Sequence, residues 1–98
     1  MIKIKWTHEA LLRLLEIEDF ISQDSPDRAR KFVGQIIDHA ECLSDNPLRG
    51  RTVPEISNPD IRELIFRNYR IVYRIKGNNL DILTVFEGHR LLRIDEII

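Results

Sequence analysis

Residues 61–90, IRELIFRNYRIVYRIKGNNLDILTVFEGHR, decide the fold. Leu64, Phe66, Tyr69, Ile71, Tyr73, Ile75, Leu80, Ile82 and Phe86 fall at alternate positions, the period-two signature of a half-buried sheet. Gly77-Asn78 separates two of these runs and supplies the positive-φ residues that a two-residue hairpin needs. With that turn fixed, Arg74 falls opposite Asp81, Tyr73 opposite Ile82, and Tyr69 opposite Phe86. Apolar side chains meet apolar ones and Arg meets Asp, as cross-strand pairing favours. A second turn at Arg67-Asn68 sets Phe66 opposite Tyr69 and Leu64 opposite Ile71. Three antiparallel strands follow, with one clearly apolar face.

The other face carries Ile61, Glu63, Ile65, Arg70, Val72, Arg74, Asp81, Leu83 and Val85. That mixture is too apolar for open water and too charged for an ordinary core. It predicts a cover, either a partner chain, a ligand or the chain's own C-terminal tail.

Upstream, Ile2-Lys3-Ile4-Lys5-Trp6 alternates and reads as a short first strand. Thr7 is an N-cap candidate, with Glu9 in the first turn where the helix dipole favours an anion. A first helix runs from there to about Gln23. Leu11, Leu14, Leu15 and Ile21 form its apolar stripe, and Leu12, Ile17 and Phe20 widen it. Ser25-Pro26 opens a second helix, serine as cap and proline at the first position, where a missing N–H costs nothing. Ala29, Phe32, Val33, Ile36, Ile37, Ala40 and Leu43 follow at helical spacing, to an end near Asp45-Asn46-Pro47. The short link forces an antiparallel helical hairpin. Its second helix should bury Phe32, Val33, Ile36 and Ala40 on Tyr69, Ile71 and Ile82, with Arg70 and Arg74 on the opposite sheet face. Phe20, Phe32, Tyr69 and Tyr73 are read as core. Residues 46–59, NPLRGRTVPEISNP, form the one long irregular segment, and the apolar, acidic residues 91–98 pack back on the sheet or add a turn or strand. The expected fold is α+β in the order β-α-α-β-β-β, a helical hairpin on one face of a mostly antiparallel four-stranded sheet.

Ninety-eight residues make one domain, residues 1–98, with 43% apolar and 32% charged residues. No apolar run approaches the roughly 20 residues of a membrane span. The opening MIKIKWTHEA lacks the apolar stretch of a signal peptide. A single cysteine, Cys42, cannot form an intramolecular disulfide, which suits a reducing cytoplasm. Cys42 also lacks the neighbouring cations that would activate a thiol. His8, His39 and His89 are widely spaced, so no metal or other cofactor is expected. Net charge is −1 but unevenly spread. Residues 7–46 hold four basic and nine acidic side chains, a balance of −5, whereas residues 49–76 hold seven and three, a balance of +4. The helical side is acidic and the loop-and-sheet side basic.

Read together, several pieces have a familiar order and spacing. They are Trp6, Ser25-Pro26 with Ala29 and Phe32, Asn46-Pro47 before Gly50-Arg51, and Arg62-Glu63-Leu64. Residues 69–75 (YRIVYRI), 82–85 (ILTV) and 88–90 (GHR) complete the set. The whole chain resembles the RelE/ParE superfamily, the toxins of type II toxin–antitoxin pairs. The resemblance implies this fold, a growth-inhibiting activity and a cognate antitoxin as partner. Members similar to RelE cut mRNA on the ribosome without a metal, and members similar to ParE inhibit DNA gyrase by binding it.

A nuclease would draw on His89, Arg90 and Arg70, histidine as acid or base and arginine as a phosphate clamp. Arg49, Arg51, Arg67 and Arg74 are candidates for holding a phosphate or a target. Ile65, Arg70, Val72, Arg74, Leu83 and Val85 are the expected antitoxin-binding set. Plainer readings stand beside these. Arg70 and Arg74 could simply pair with Glu63 and Asp81, His89 could be a loop residue, and Arg49 and Arg51 solvated charge. The chain departs from the RelE pattern: Lys76 is the only lysine after Lys31, no tyrosine stands near the C-terminus, and the tail is acidic. These departures favour the gyrase-directed branch over a ribosome-dependent mRNA endonuclease. A third reading is an inactive relative that keeps only antitoxin binding.

Overall fold

The computed structural model describes residues 2–88. The elements are β1 (Lys3–Trp6), α1 (His8–Ser22), α2 (Pro26–Glu41), a 3₁₀ turn (Cys42–Ser44), β2 (Arg51–Thr52), β3 (Ile61–Phe66), β4 (Tyr69–Lys76) and β5 (Asn79–Glu87). The sheet order is β1-β5-β4-β3-β2, with β1 parallel to β5 and the other pairs antiparallel. The expected four-strand α+β arrangement therefore gains a fifth, two-residue strand. Arg51 and Thr52 supply it by pairing with Glu63 and Arg62. Residues 89–98, and with them the expectations for His89, Arg90 and the tail, lie outside the described residues.

The local chemistry follows the sequence. Thr7 Oγ accepts from Ala10 N–H (3.2 Å) and Ser25 Oγ from Arg28 N–H (3.2 Å), satisfying one orphan donor at each helix start. Gly77 has φ +60° in the β4–β5 turn, where it lies in open space. The β3–β4 turn places Arg67 at φ +54°, an unusual conformation for a side chain with a Cβ. Its guanidinium lies over the Phe66 and Phe32 rings (5.4 and 6.0 Å), which offsets part of that strain.

The expected register holds through Arg74↔Asp81 and Tyr73↔Ile82, then shifts. Val72 pairs with Thr84, so Leu83 is an extra residue in β5, a bulge. Beyond it, every β5 side chain changes face. Tyr69 stands opposite Glu87 and Arg70 opposite Phe86, in place of the expected Tyr69–Phe86 pair. Val85 moves onto the helix-covered face, which corrects its expected place on the second face, and Phe86 moves the other way. Thr7 follows the last β1 residue and meets the carbonyls around the bulge, with its hydroxyl 2.7 Å from Ile82 O and 3.1 Å from Leu83 O.

Two cores result. Under the helices, Ala10, Leu14 and Ile17 of α1 and Ile36 and Ala40 of α2 pack on Leu64, Ile71, Tyr73, Leu80, Ile82 and Val85. Phe32 and Val33 are partly buried against this core, and Phe32 meets Phe66 and Tyr69 at 5.8 and 5.5 Å between ring centroids. On the other sheet face, Val53 and Ile56 cover Ile61, Val72, Leu83 and Phe86. The described cover of the second face is thus the chain's own irregular segment. One core expectation fails, because Phe20 is 70% exposed and Leu11, Leu12 and Leu15 also lie open. At 3.6 residues per turn, the eight apolar residues of α1 spread around more than half its circumference, and only the line through Ala10, Leu14, Ile17 and Ile21 packs on the core.

Candidate functional site

The second face holds an ionic cluster built by three neighbouring segments. β4 contributes Arg70, β3 contributes Glu63, and the covering segment contributes Glu55. Arg70 Nε donates to Glu63 Oε1 at 2.6 Å, while Nη1 and Nη2 donate to the two Glu55 oxygens at 2.9 and 2.8 Å. Arg51, from β2, donates through Nε to the second Glu63 oxygen at 2.6 Å. The Glu63 side chain is fully enclosed, and the Arg70 guanidinium carbon lies 5.1 Å over the Phe86 ring. The Glu55 pairing binds the Arg70 proton more firmly than usual, burial opposes this, and Glu63 adds to the hold.

A second arrangement fixes the loop ahead of β2. Tyr73 is fully buried, and its hydroxyl donates to Pro47 O (2.7 Å) and accepts from Gly50 N–H (2.9 Å). Arg62 Nη1 donates to Gly50 O (2.9 Å). Gly50 sits so close that an added Cβ would come within 2.5 Å of Glu63 O and 2.6 Å of the Tyr73 hydroxyl. Burial raises the Tyr73 phenol above its ordinary value, and the Gly50 hydrogen bond and the Arg62 charge pull it back.

The candidate residues are therefore dispersed. Arg70, offered as a phosphate clamp, has its guanidinium occupied by two carboxylates. Arg49 and Arg67 are exposed, and Arg51 is exposed apart from its tie to Glu63. Arg74 is half-buried opposite Asp81, and its Nε has no hydrogen-bond partner among the described residues. Of the expected antitoxin-binding set, only Ile65 is open. Arg70, Val72 and Leu83 are buried on the covered second face, and Val85 lies under the helices. These four are corrected as surface residues, because Val53, Ile56 and Glu55 occupy that face and the bulge turns Val85 inward. The paired roles of Glu55, Phe86, Tyr73 and Arg62 were not anticipated. Val53 and Ile56 flanking Pro54-Glu55, apolar residues in a polar loop, were the available signal for a folded-back cover. Among the described residues, no three His, Cys, Asp or Glu side chains gather as metal ligands. No described helix is long and apolar enough to cross a membrane.

A large apolar surface lies on the opposite side. Leu11, Leu14, Leu15 and Glu18 of α1 and Val33 of α2 line a groove of about 320 Å³, with Leu15 57% exposed.

A helical hairpin on a mixed five-stranded sheet is the arrangement that the resemblance to the RelE/ParE superfamily implied. Known proteins agree. The model for the ParE toxin of type II toxin–antitoxin systems, parDE, matches residues 4–92. The chain is 38% identical over 90 residues to Y4kP of Sinorhizobium fredii, a protein assigned to the toxins, covering 90% of each. It is 30% identical over 92 residues to toxin RelE2 of Caulobacter vibrioides, covering 93% of this chain and all of that one. A chain of the chromosomal ParDE toxin–antitoxin system of P. aeruginosa superimposes with a TM-score of 0.75 at 27% identity, over 89% of this chain and 96% of that one. A chain of the RelBE2 complex of Mycobacterium tuberculosis shares the fold, with a TM-score of 0.65 at 22% identity over 88% and 90% of the two chains. The chain belongs to the ParE toxin family, and it is the toxin component of a type II toxin–antitoxin system.

Proposed function

We propose that this toxin acts in the bacterial cytoplasm by binding DNA gyrase, without catalysing a reaction of its own. The observation that carries this reading is the capture of Arg70. A nuclease built on this sheet would need an unpaired cation to stabilise phosphate charge in the transition state. Here the best-placed sheet arginine is neutralised by Glu63 and Glu55 and roofed by Phe86. Arg49, Arg51 and Arg67 are spread over two ends of β3 and its neighbours, an arrangement suited to complementing a protein surface.

The cognate antitoxin, in this reading, docks on the helical hairpin. The α1–α2 groove and the exposed Leu11 and Leu15 fit the apolar face of an amphipathic helix. The −5 balance over residues 7–46 selects a segment with basic flanks. Ile65 and Arg74 are secondary contacts.

The second reading, a metal-independent mRNA endonuclease on the ribosome, is favoured by the 30% identity to toxin RelE2. Its acid or base would be His89, with Arg90 holding the phosphate. Toxin induction separates the two. Transcripts are mapped for cuts within codons and the DNA-damage response is recorded, for the parent, His89→Ala and Arg90→Ala. Gyrase binding predicts a damage response, no codon-specific cuts, and toxicity that survives His89→Ala. Cuts in the parent that vanish in both variants, a loss of about 10²–10⁴-fold in rate, would establish the nuclease. A parent that binds antitoxin yet arrests nothing would mark an inactive relative.

A further inference from the structure

We infer that residues 48–51, Leu-Arg-Gly-Arg, are the target-contact element of this toxin, presented rigidly by the Tyr73 hydroxyl, and that they fit an acidic protein surface with an apolar recess. The inference rests on the gyrase-binding reading and specifies where that contact is made.

Leu48 is 63% exposed at the tip of the loop, a large apolar side chain that the fold does not use. Arg49 beside it is exposed, and Arg51 points one nitrogen at Glu63 while most of its side chain stays open. Leu48 stands beside Arg49, with Arg51 two residues further on, so the loop joins an open apolar side chain to two arginines, and arginine is enriched in binding hot spots. The loop is also held unusually firmly for an irregular segment. The Tyr73 hydroxyl spans Pro47 O and Gly50 N–H from within the main core, Arg62 holds Gly50 O, and Gly50 leaves no room for a Cβ. Immobilising a loop before it binds removes the ordering cost that would otherwise oppose association.

The partner's chemistry follows from the charge. Residues 49–76 carry a balance of +4, which complements carboxylates. A nucleic-acid backbone would use the arginines and leave Leu48 without a contact, whereas a protein surface uses both. Tyr73 touches no partner in this scheme. It is a positioning residue, acting through Gly50.

The test uses the full chain, purified gyrase holoenzyme and the cognate antitoxin. Leu48→Ser with Arg49→Glu, both at open positions, should lower gyrase affinity by about tenfold or more. Antitoxin affinity and the thermal midpoint should stay at parent values. Tyr73→Phe keeps the buried ring and removes only the latch. It should weaken gyrase binding while antitoxin affinity, read on the far side of the molecule, is unchanged. Parent-level gyrase binding by the Leu48→Ser/Arg49→Glu variant would overturn the inference and leave the gyrase reading standing. A parent that does not bind gyrase would overturn both. Codon-specific transcript cuts that are lost in the same variant would assign the loop to RNA and overturn the protein partner.

Discussion

Glu63→Gln is the sharpest probe of the covered sheet face. The substitution keeps the shape of the side chain and removes its charge. In the parent, one Glu63 oxygen takes Arg70 Nε at 2.6 Å and the other takes Arg51 Nε at 2.6 Å, in full enclosure. A glutamine can accept from one arginine only, and its NH₂ group then confronts the N–H of the other. Removing one partner of a buried ion pair costs roughly 3–5 kcal/mol. Glu55 still engages two of the Arg70 nitrogens, so the low end applies, about 3 kcal/mol. For a domain of this size, 1 kcal/mol shifts the thermal midpoint by roughly 4–8 °C, so a fall of more than about 10 °C is expected. Urea unfolding, with the slope m compared between parent and variant, measures the loss directly. The pair Glu63→Leu/Arg70→Met removes both enclosed charges but takes the Arg70 contacts from Glu55, so it should recover only part of the loss. A loss under about 1 kcal/mol for Glu63→Gln would place the cluster among solvent-screened surface bridges and refute the enclosure argued from Val53, Glu55 and Ile56.

Two further outcomes follow from other parts of the molecule. Leu15→Glu puts a charge in the α1–α2 groove at an open position, so stability should change by no more than about 0.5 kcal/mol. Antitoxin affinity, measured by calorimetry, should fall by about tenfold or more, and an unchanged value would remove the groove as the docking site. Burial raises both Tyr69 and Tyr73, so the folded chain keeps phenol protons that the unfolded chain sheds near pH 10. Their contribution is complete below that pH and is lost as pH rises through the folded values. The urea midpoint should therefore drop above about pH 10, and less steeply in Tyr73→Phe.

Much of the fold could be read from short-range signals. Thr7 and Ser25-Pro26 mark their helix starts because capping is a local contest for a few N–H groups. Gly77-Asn78 sets the β4–β5 register because the turn needs positive φ. The bulge was hidden because ILTVF, residues 82–86, is apolar on both faces apart from Thr84 and offers no alternation to show a change of phase. Phe20 was misjudged because hydrophobicity alone does not say which arc of α1 meets the sheet. Within the site, the pairing of Arg70 with Glu63 was one of the readings open from the strand pattern. Glu55 was not, since its place depends on how an irregular loop folds back. His89 and Arg90 lie beyond the described residues.

The extra residue at Leu83 has a consequence for how the domain melts. Because β4 and β5 lend side chains to both faces, Ile71, Tyr73, Ile82 and Val85 serve the helices while Val72, Leu83 and Phe86 serve the covering loop. Neither layer can detach without exposing the back of the strands that the other needs. The loop therefore should not behave as a separately melting flap. Helix signal, tyrosine environment and loop protection should vanish together, in one cooperative transition. Deleting Leu83 would restore simple alternation with Val85 still under the helices and Phe86 still against Arg70, and would take one apolar side chain from the loop-facing layer.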